Sequence, residues 1–420
     1  MLQFLKFVLL SSLTVLFSQS LHANHRQDFF APSEHVMLGE KIHLTLADGS
    51  DNTNPYLHFP NGLKLHYAEI VALGDFYFVQ GQPISFGASV MERKMRFLAV
   101  FNSLAESDDA KIEARKICDL LQLELAIIRR ALEQGEPSEQ AYQRIAEEFS
   151  IKYNCITGGG CTPQTWLIDQ GRFLKIAKEN YDHFGQEAWL AYAAGHELAI
   201  EIALAARATN NPAQLEVAYA MDAFAAHFIT DRFSAGHMRT PRVQLPQQVT
   251  PSVIGSVLIN YMHNEESKYG LHVHNKLGEH WIAYGDSSLS NPNDSDNQTH
   301  LVQFLAASVA QIKMAFFYGV NASLEELANR LPEPDSNETV SSGDIAPMFL
   351  WDSATQRVLR RVSTADPYDY HWTENWWGWS TLLQLEQERG LPLEERALLE
   401  QAGFKIPVSS HPANTSQHQS

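Results

Sequence analysis

The chain has 420 residues, 45% of them hydrophobic and 19% charged, which is the ordinary balance of a globular enzyme and enough for a sizeable core in one large domain or two. Its formal net charge of −18 argues against a general nucleic-acid-binding surface, which needs clustered Lys and Arg, so no nucleic-acid partner is expected. A local basic patch inside a site is still allowed, and the sequence leaves the oligomeric state open.

Residues 1–23, "MLQFLKFVLLSSLTVLFSQSLHA", read as a secretory signal peptide. Lys6 forms a basic n-region, Phe7 to Phe17 an apolar h-region, and Ala23 offers a small residue before a cut. Without a twin-arginine pair, the general export route is expected, ending in the periplasm or outside the cell. No later segment approaches about 20 uninterrupted apolar residues, so no transmembrane segment is expected in the mature protein. Next, "APSEHVMLGEKIH" supplies Glu34, His35 and His43. The stretch 60–78, "PNGLKLHYAEIVALGDFYF", opens with a hairpin signal at Asn61-Gly62 and carries Asp75 in an apolar context, where a lone carboxylate needs a partner.

Apolar residues recurring at three and four predict helices over 88–107, 110–135, 137–153, 163–181, 186–208 and 212–233, the last opened by Pro212 after two asparagines. Cys155 and Cys161 bracket "ITGGG" and can close a short disulfide in an oxidising compartment, while Cys118 lies in a helical pattern and reads as a small core hydrophobe. The 284–300 stretch reads as a long surface loop. Residues 331–343 read as a linker or exposed loop, 344–408 as an aromatic-rich C-terminal segment, and 409–420 as a disordered tail. Trp372, Trp376, Trp377 and Trp379 favour a packed aromatic core over a membrane interface. The expected fold class is mainly α: a multi-helix bundle over 24–330 with a C-terminal extension.

Within that bundle, "HFITDRFSAGH" places His227, Asp231 and His237 at H-x3-D-x5-H. Positions i and i+4 share a helix face, so His227 and Asp231 project together, and Ser234-Ala235-Gly236 allow a turn that returns His237. An inward His–Asp pair is costly unless satisfied. Further clusters supply Asp182, His183, His196 and Glu197, then His263, Glu265, Glu266, His272 and His274. Imidazole nitrogens and carboxylate oxygens are ligands that zinc accepts, and several such clusters on consecutive helices point to more than one metal.

The "HFITDRFSAGH" string resembles the core of the bacterial zinc-dependent phospholipase C superfamily. "NYDHFGQEAWLAYAAGH", "GDFYF" and "HNEESKYGLHVHN" resemble its phosphatidylcholine-hydrolysing branch in Gram-negative bacteria, over about half the chain. The resemblance implies an all-helical fold around a cluster of two or three Zn2+ ions. Asp75, His183 and His227 would hold one zinc, shared with Asp231. His237 and His263 would hold a second, with Glu266 or Glu265 as the carboxylate because position 267 is Ser. His35 and the mature N-terminus at Asn24 would serve a third, bridged by Asp231. His196 is either a ligand peculiar to this branch or a satisfied core histidine. The implied catalytic residues are Asp75 and Asp231, and the implied activity is hydrolysis of phosphatidylcholine to diacylglycerol and phosphocholine at membrane surfaces.

Other readings carry less. "GHELAI" starts like a zinc-protease motif, but Ile200 stands where the second His would be. "YGDSSLS" suggests a lipase serine at Ser287, yet Asp369 and His371 have the wrong spacing for it. Arg239 and Arg242 either face a substrate phosphate or lie in a solvated loop. The remaining functional alternatives are an S1/P1-like zinc nuclease or phosphatase, and a non-catalytic protein stapled by zinc.

Overall fold

Apolar spacing becomes helix across most of the chain. The computed structural model describes residues 31–335 and 344–406. The export signal, Asn24, most of the 331–343 segment and the polar tail from 409 lie outside the described residues. Among the described residues, fifteen α-helices and four small sheets make the fold mainly α, as the periodicity predicts.

The N-terminal part is built from short pieces. Helix α1 (Pro32–Gly39) is followed by a two-stranded ladder of β1 (His43–Thr45) and β2 (Asp51–Thr53). The hairpin signal at Asn61-Gly62 joins β3 (Tyr56–His58) to β4 (Lys64–His66), with Gly62 in the left-handed region at φ 75°. Helix α2 (Tyr67–Ala72) then ends in a single 3-10 turn, Leu73–Asp75.

The predicted helices form as α3 (Val90–Ala105), α4 (Asp108–Glu133), α5 (Ser138–Ile156), α6 (Arg172–Glu179), α7 (Gly185–Thr209) and α8 (Pro212–Arg232). Ser89 and Ser107 cap α3 and α4 by accepting from the amides of Glu92 and Ala110. The helix expected over 163–181 is confined to α6. Before it, the side chain of Asn154 donates to the carbonyls of Gly160, Trp166 and Asp169 and accepts from Gly171, so it holds the chain in turns. The Cys155–Cys161 disulfide closes the same loop, and Cys118 is buried.

Helices α7 and α8 form the centre. Their contact faces are alanine-rich, and a Cβ on Gly195 would lie 2.3 Å from Phe97 and 2.7 Å from Ala225, so only glycine fits there. Helix α8 is buried on all faces along most of its length, which periodicity alone does not reveal. The turn helix α9 (Ala235–Met238) and α10 (Gln244–Gln248) lead to α11 (Ser252–Tyr269), followed by β5 (Leu271–His274) and β6 (His280–Ala283). Helix α12 (Ser295–Tyr318) packs on α7 and α8. Pro292–Tyr318 is long and apolar enough to cross a membrane by length and composition, but half of its apolar window is buried in this core.

Helix α13 (Glu325–Ala328) precedes β7 (Glu333–Pro334), which adds to the β6-β5-β7 sheet. Beyond it, β8 (Phe349–Asp352), β9 (Arg357–Arg361), β10 (Trp372–Thr373), α14 (Gly378–Arg389) and α15 (Leu393–Gln401) enclose a second core. That core takes Ile254, Val257, Leu258 and Met262 from α11 and Phe349, Val358, Leu382 and Leu385 from the C-terminal segment. Trp376 and Trp379 pack against it, while Trp377 is exposed. Fully buried Arg361 grips Glu265 through two nitrogens at 2.9 and 3.0 Å, and Arg389 adds a third contact at 2.7 Å. Helix α11 is thereby buttressed on the side away from α8.

Candidate metal centre

Local chemistry brings the site together at the end of α8. His227 and Asp231 lie one turn apart on this buried helix, with Thr230 between them. Thr230 Oγ1 donates to the carbonyl of His227 at 2.6 Å, and therefore accepts from Nδ1 of His35 at 2.8 Å. That contact fixes the His35 tautomer and turns its Nε2 inward. The 3-10 turn carrying Asp75 reaches the cluster because Gly74 has no side chain: a Cβ there would lie 2.1 Å from the His227 ring. Gly236 plays the same part at α9, where a Cβ would meet Ser267 and the His263 ring at 2.5 and 2.6 Å.

Three groups of donors result: His35, His227 and Asp231; Asp75, His183 and His227; and His237, His263 and Asp286, with ligand atoms in each group within 4.8 Å of one another. Asp231 joins the first two. Its Oδ1 is 3.5 Å from His35 Nε2, and its Oδ2 is 2.5 Å from His183 Nδ1 and 3.6 Å from His227 Nε2. Asp75 completes the ring, 3.7 Å from both His35 and His227. In the third group, His237 donates Nδ1–H to the carbonyl of His183 at 3.0 Å and stacks on Phe184 with ring centres 4.3 Å apart. Asp286 Oδ2 lies 3.1 Å from His263 Nε2, while Ser234 donates to its Oδ1 at 2.9 Å.

Two expectations are corrected. Glu266 is buried near His263, but its Oε1 accepts from Arg239 at 2.6 Å and it belongs to none of the three groups. Glu265 is committed to Arg361 and Arg389. The carboxylate of the third group is Asp286, which comes from the stretch expected to be a surface loop. His196 also stays outside the cluster. It is sealed in a network in which Nδ1 meets Asp222 at 2.6 Å and Nε2 meets Gln311 at 3.0 Å. The other seven residues, His35, Asp75, His183, His227, Asp231, His237 and His263, are brought together. One sequence signal could have exposed Asp286: with Ser267 at the expected carboxylate position, the missing oxygen had to come from another segment.

The electrostatics suit a cation. Burial holds His35 down at about 3 and His183 at about 4, and pushes His227 well below the ordinary imidazole range. These rings are therefore neutral, the form that ligates metals. Burial and mutual repulsion push Asp75 and Asp231 well above the usual carboxylate range. Among the described residues, both oxygens of Asp75, Oδ1 of Asp231 and Nε2 of His227 are buried with no hydrogen-bond partner. Lone pairs thus face lone pairs, an arrangement that costs several kcal/mol unless positive charge joins it. The buried His and Asp groups can hold a metal ion.

Two clefts reach this cluster. One, about 400 Å³, runs past Tyr77, Phe78, Ile84, Asp182 and Phe228 to His183. The other, about 690 Å³, runs between Glu139, Gln143, Asn264 and Lys268 to Asp286. Arg242 does not lie in a solvated loop: it is buried, bonds Asn180 and the Lys178 carbonyl, and lies over the Tyr181 ring. No protein-family model, no curated protein and no solved structure matches this chain. The class is therefore defined by fold and site alone: a mainly α protein with a buried, multi-group His/Asp centre.

Proposed function

We propose that this chain is an exported zinc-dependent phospholipase C that hydrolyses phosphatidylcholine to diacylglycerol and phosphocholine. The observation that carries the reading is the convergence of five histidines and three aspartates, buried yet reached by two clefts. A structural metal site is closed, so clefts ending at the donors favour chemistry over stapling. Three donor groups, two of them sharing His227, match two or three Zn2+ ions.

When bound, zinc supplies charge neutralisation for the phosphodiester oxygens and a water acidic enough to attack phosphorus near neutral pH. The protein's own residues prepare that chemistry. Thr230 and the His183 carbonyl set the tautomers of His35 and His237, and Ser234 orients Asp286. Asp231, touching His35, His183 and His227, fixes how far apart the groups lie. Asp75, with both oxygens turned inward, is the base placed to take a proton from the attacking water. The P–O bond to the glycerol oxygen breaks as water's oxygen bonds to phosphorus, and the departing alkoxide is protonated to diacylglycerol.

A lipid substrate is favoured over a nucleic acid by the surface beside the first cleft. Phe86, Val90, Met91 and Met95 are 42%, 50%, 66% and 64% exposed within ten residues of chain, and Phe86 packs at a tilt against Tyr181, the neighbour of cleft residues Asn180 and Asp182. Such an apolar patch suits an acyl surface and not a phosphate backbone. The test assays wild type for bound metal and for phosphocholine release from phosphatidylcholine vesicles, with single-stranded DNA hydrolysis in parallel. Metal with DNA cleavage and no phosphocholine would transfer the reading to an S1/P1-like nuclease. Metal with neither activity would leave a stapled, non-catalytic protein.

A further inference from the structure

Glu34 is buried beside His35, yet it touches none of the donor groups. Its carboxylate instead accepts three backbone amides. Oε2 takes Ala31 N–H at 3.1 Å and Ser287 N–H at 3.0 Å, and Oε1 takes Leu289 N–H at 3.1 Å. The first bond caps α1, the helix that carries His35. The other two bind α1 to the loop that carries Asp286, some 250 residues away along the chain. That loop is strained where Glu34 grips it: Ser287 sits in the left-handed region at φ 64°, which a residue with a Cβ rarely adopts unaided. On the other side of Asp286, Gly285 donates its amide to the carbonyl of Ser267 on α11, four residues from His263. Asp286 is thus stretched between the helix of His35 and the helix of His263.

We propose that Glu34 is a positioning residue that holds Asp286 on His263 and His237, so that the third donor group is assembled only when α1 is docked. The inference rests on the metal-centre reading above. Its chemistry is that of one buried carboxyl group whose two oxygens accept three amides from two separate segments, so that a single side chain ties α1 to the Asp286 loop. Loss of the clamp would release Asp286 without touching Asp75, His183, His227 or Asp231.

The experiment is metal titration of the full chain by calorimetry with Zn2+ alone, with hydrogen exchange followed at Ser287 and Leu289. Wild type, Glu34→Ala, Glu34→Gln and Ser287→Gly are compared. In Glu34→Ala one site is expected to lose about 10- to 100-fold in affinity while the remaining sites are unchanged, and both amides exchange faster. Glu34→Gln, which keeps one carbonyl oxygen, is expected to lie between the two. Ser287→Gly on the Glu34→Ala background is expected to recover part of the affinity by removing the left-handed strain. An even weakening of all sites, or unchanged affinity with slow exchange at 287 and 289, overturns the assignment. If Glu34→Ala does not fold, the Gln variant decides by the same two readouts. Wild type that binds no Zn2+ would sink the metal reading itself, which is a different result from a failed clamp.

Discussion

Helix α8 carries two buried histidine–aspartate clusters of opposite character. Around Asp222, hydrogen bonds match donor to acceptor at every side chain except Asp222 Oδ2 and the Tyr67 hydroxyl, which lie beside each other. His196 bonds Asp222 and Gln311, Ser308 donates to Asp222 at 2.6 Å, and Tyr192 bonds Ser308 at 2.7 Å. Gln311 in turn donates to the Ser323 carbonyl, and the Tyr67 hydroxyl sits beside Asp222. Nine residues further along the helix, around Asp231, acceptors point at one another. Both clusters use the same residue types in the same alanine-rich surroundings, and both are fully buried. What separates them is the polar balance: around Asp222 the one open carboxylate oxygen, Oδ2, has the Tyr67 hydroxyl, a donor, beside it, whereas around Asp231 acceptor faces acceptor in a group that can hold a cation. Hydrogen-bond accounting distinguishes a structural lock from a site where composition does not.

The comparison can be broken most sharply at Asp231. Asp231→Asn keeps the shape but removes the charge shared by two donor groups, so metal per chain should fall by at least one equivalent and phosphodiester hydrolysis by about a hundredfold or more. Elemental analysis and an activity assay on the same preparation check this, and full metal content in the variant would contradict it. His196→Ala should do the reverse. It should cost about 3 kcal/mol in denaturant unfolding, through a cavity and an orphaned Asp222, with metal stoichiometry unchanged. Lost metal together with retained stability would erase the distinction between the clusters.

A third test uses a carboxyl that needs no cation. Asp294 accepts the Tyr284 amide at 2.9 Å, and burial pushes it up to about 7. Its folded form therefore binds a proton that the unfolded chain has already released, so stability should fall as pH rises from about 4 to about 7. Asp294→Asn should flatten that slope by on the order of 1–3 kcal/mol, read from unfolding midpoints across the window. An unchanged slope would place the pH dependence elsewhere. The smallest effect is at the surface. Met91→Asp should weaken turnover on phosphatidylcholine vesicles about tenfold, in line with loss of one apolar anchor, and leave a dispersed short-chain substrate unaffected. Equal losses on both would remove the apolar patch from the substrate argument.

Much of this protein was determined by sequence alone. The 3.6-residue rhythm predicts six helices that form, the Asn61-Gly62 pair predicts its hairpin, and H-x3-D on a helix already places His227 and Asp231 on one face. Seven of the nine candidate site residues meet: His227 and Asp231 through local spacing, Asp75 and His237 beside the glycines that let their segments approach, and His35, His183 and His263 through the packing of their helices. Helix α11 escaped notice because most of its faces are buried, and α12 because its exposed face carries Ala306, Ala310 and Met314 in place of a charged stripe. Glu266 and Asp286 show where local reasoning ends. Nothing near position 266 reveals that Arg239 will neutralise it, and nothing near 286 reveals that a loop rich in Ser, Asn and Asp is drawn inward by Glu34. Such choices depend on contacts from 27 to 255 residues apart, where burial makes each carboxylate take whichever partner the packed helices bring within reach.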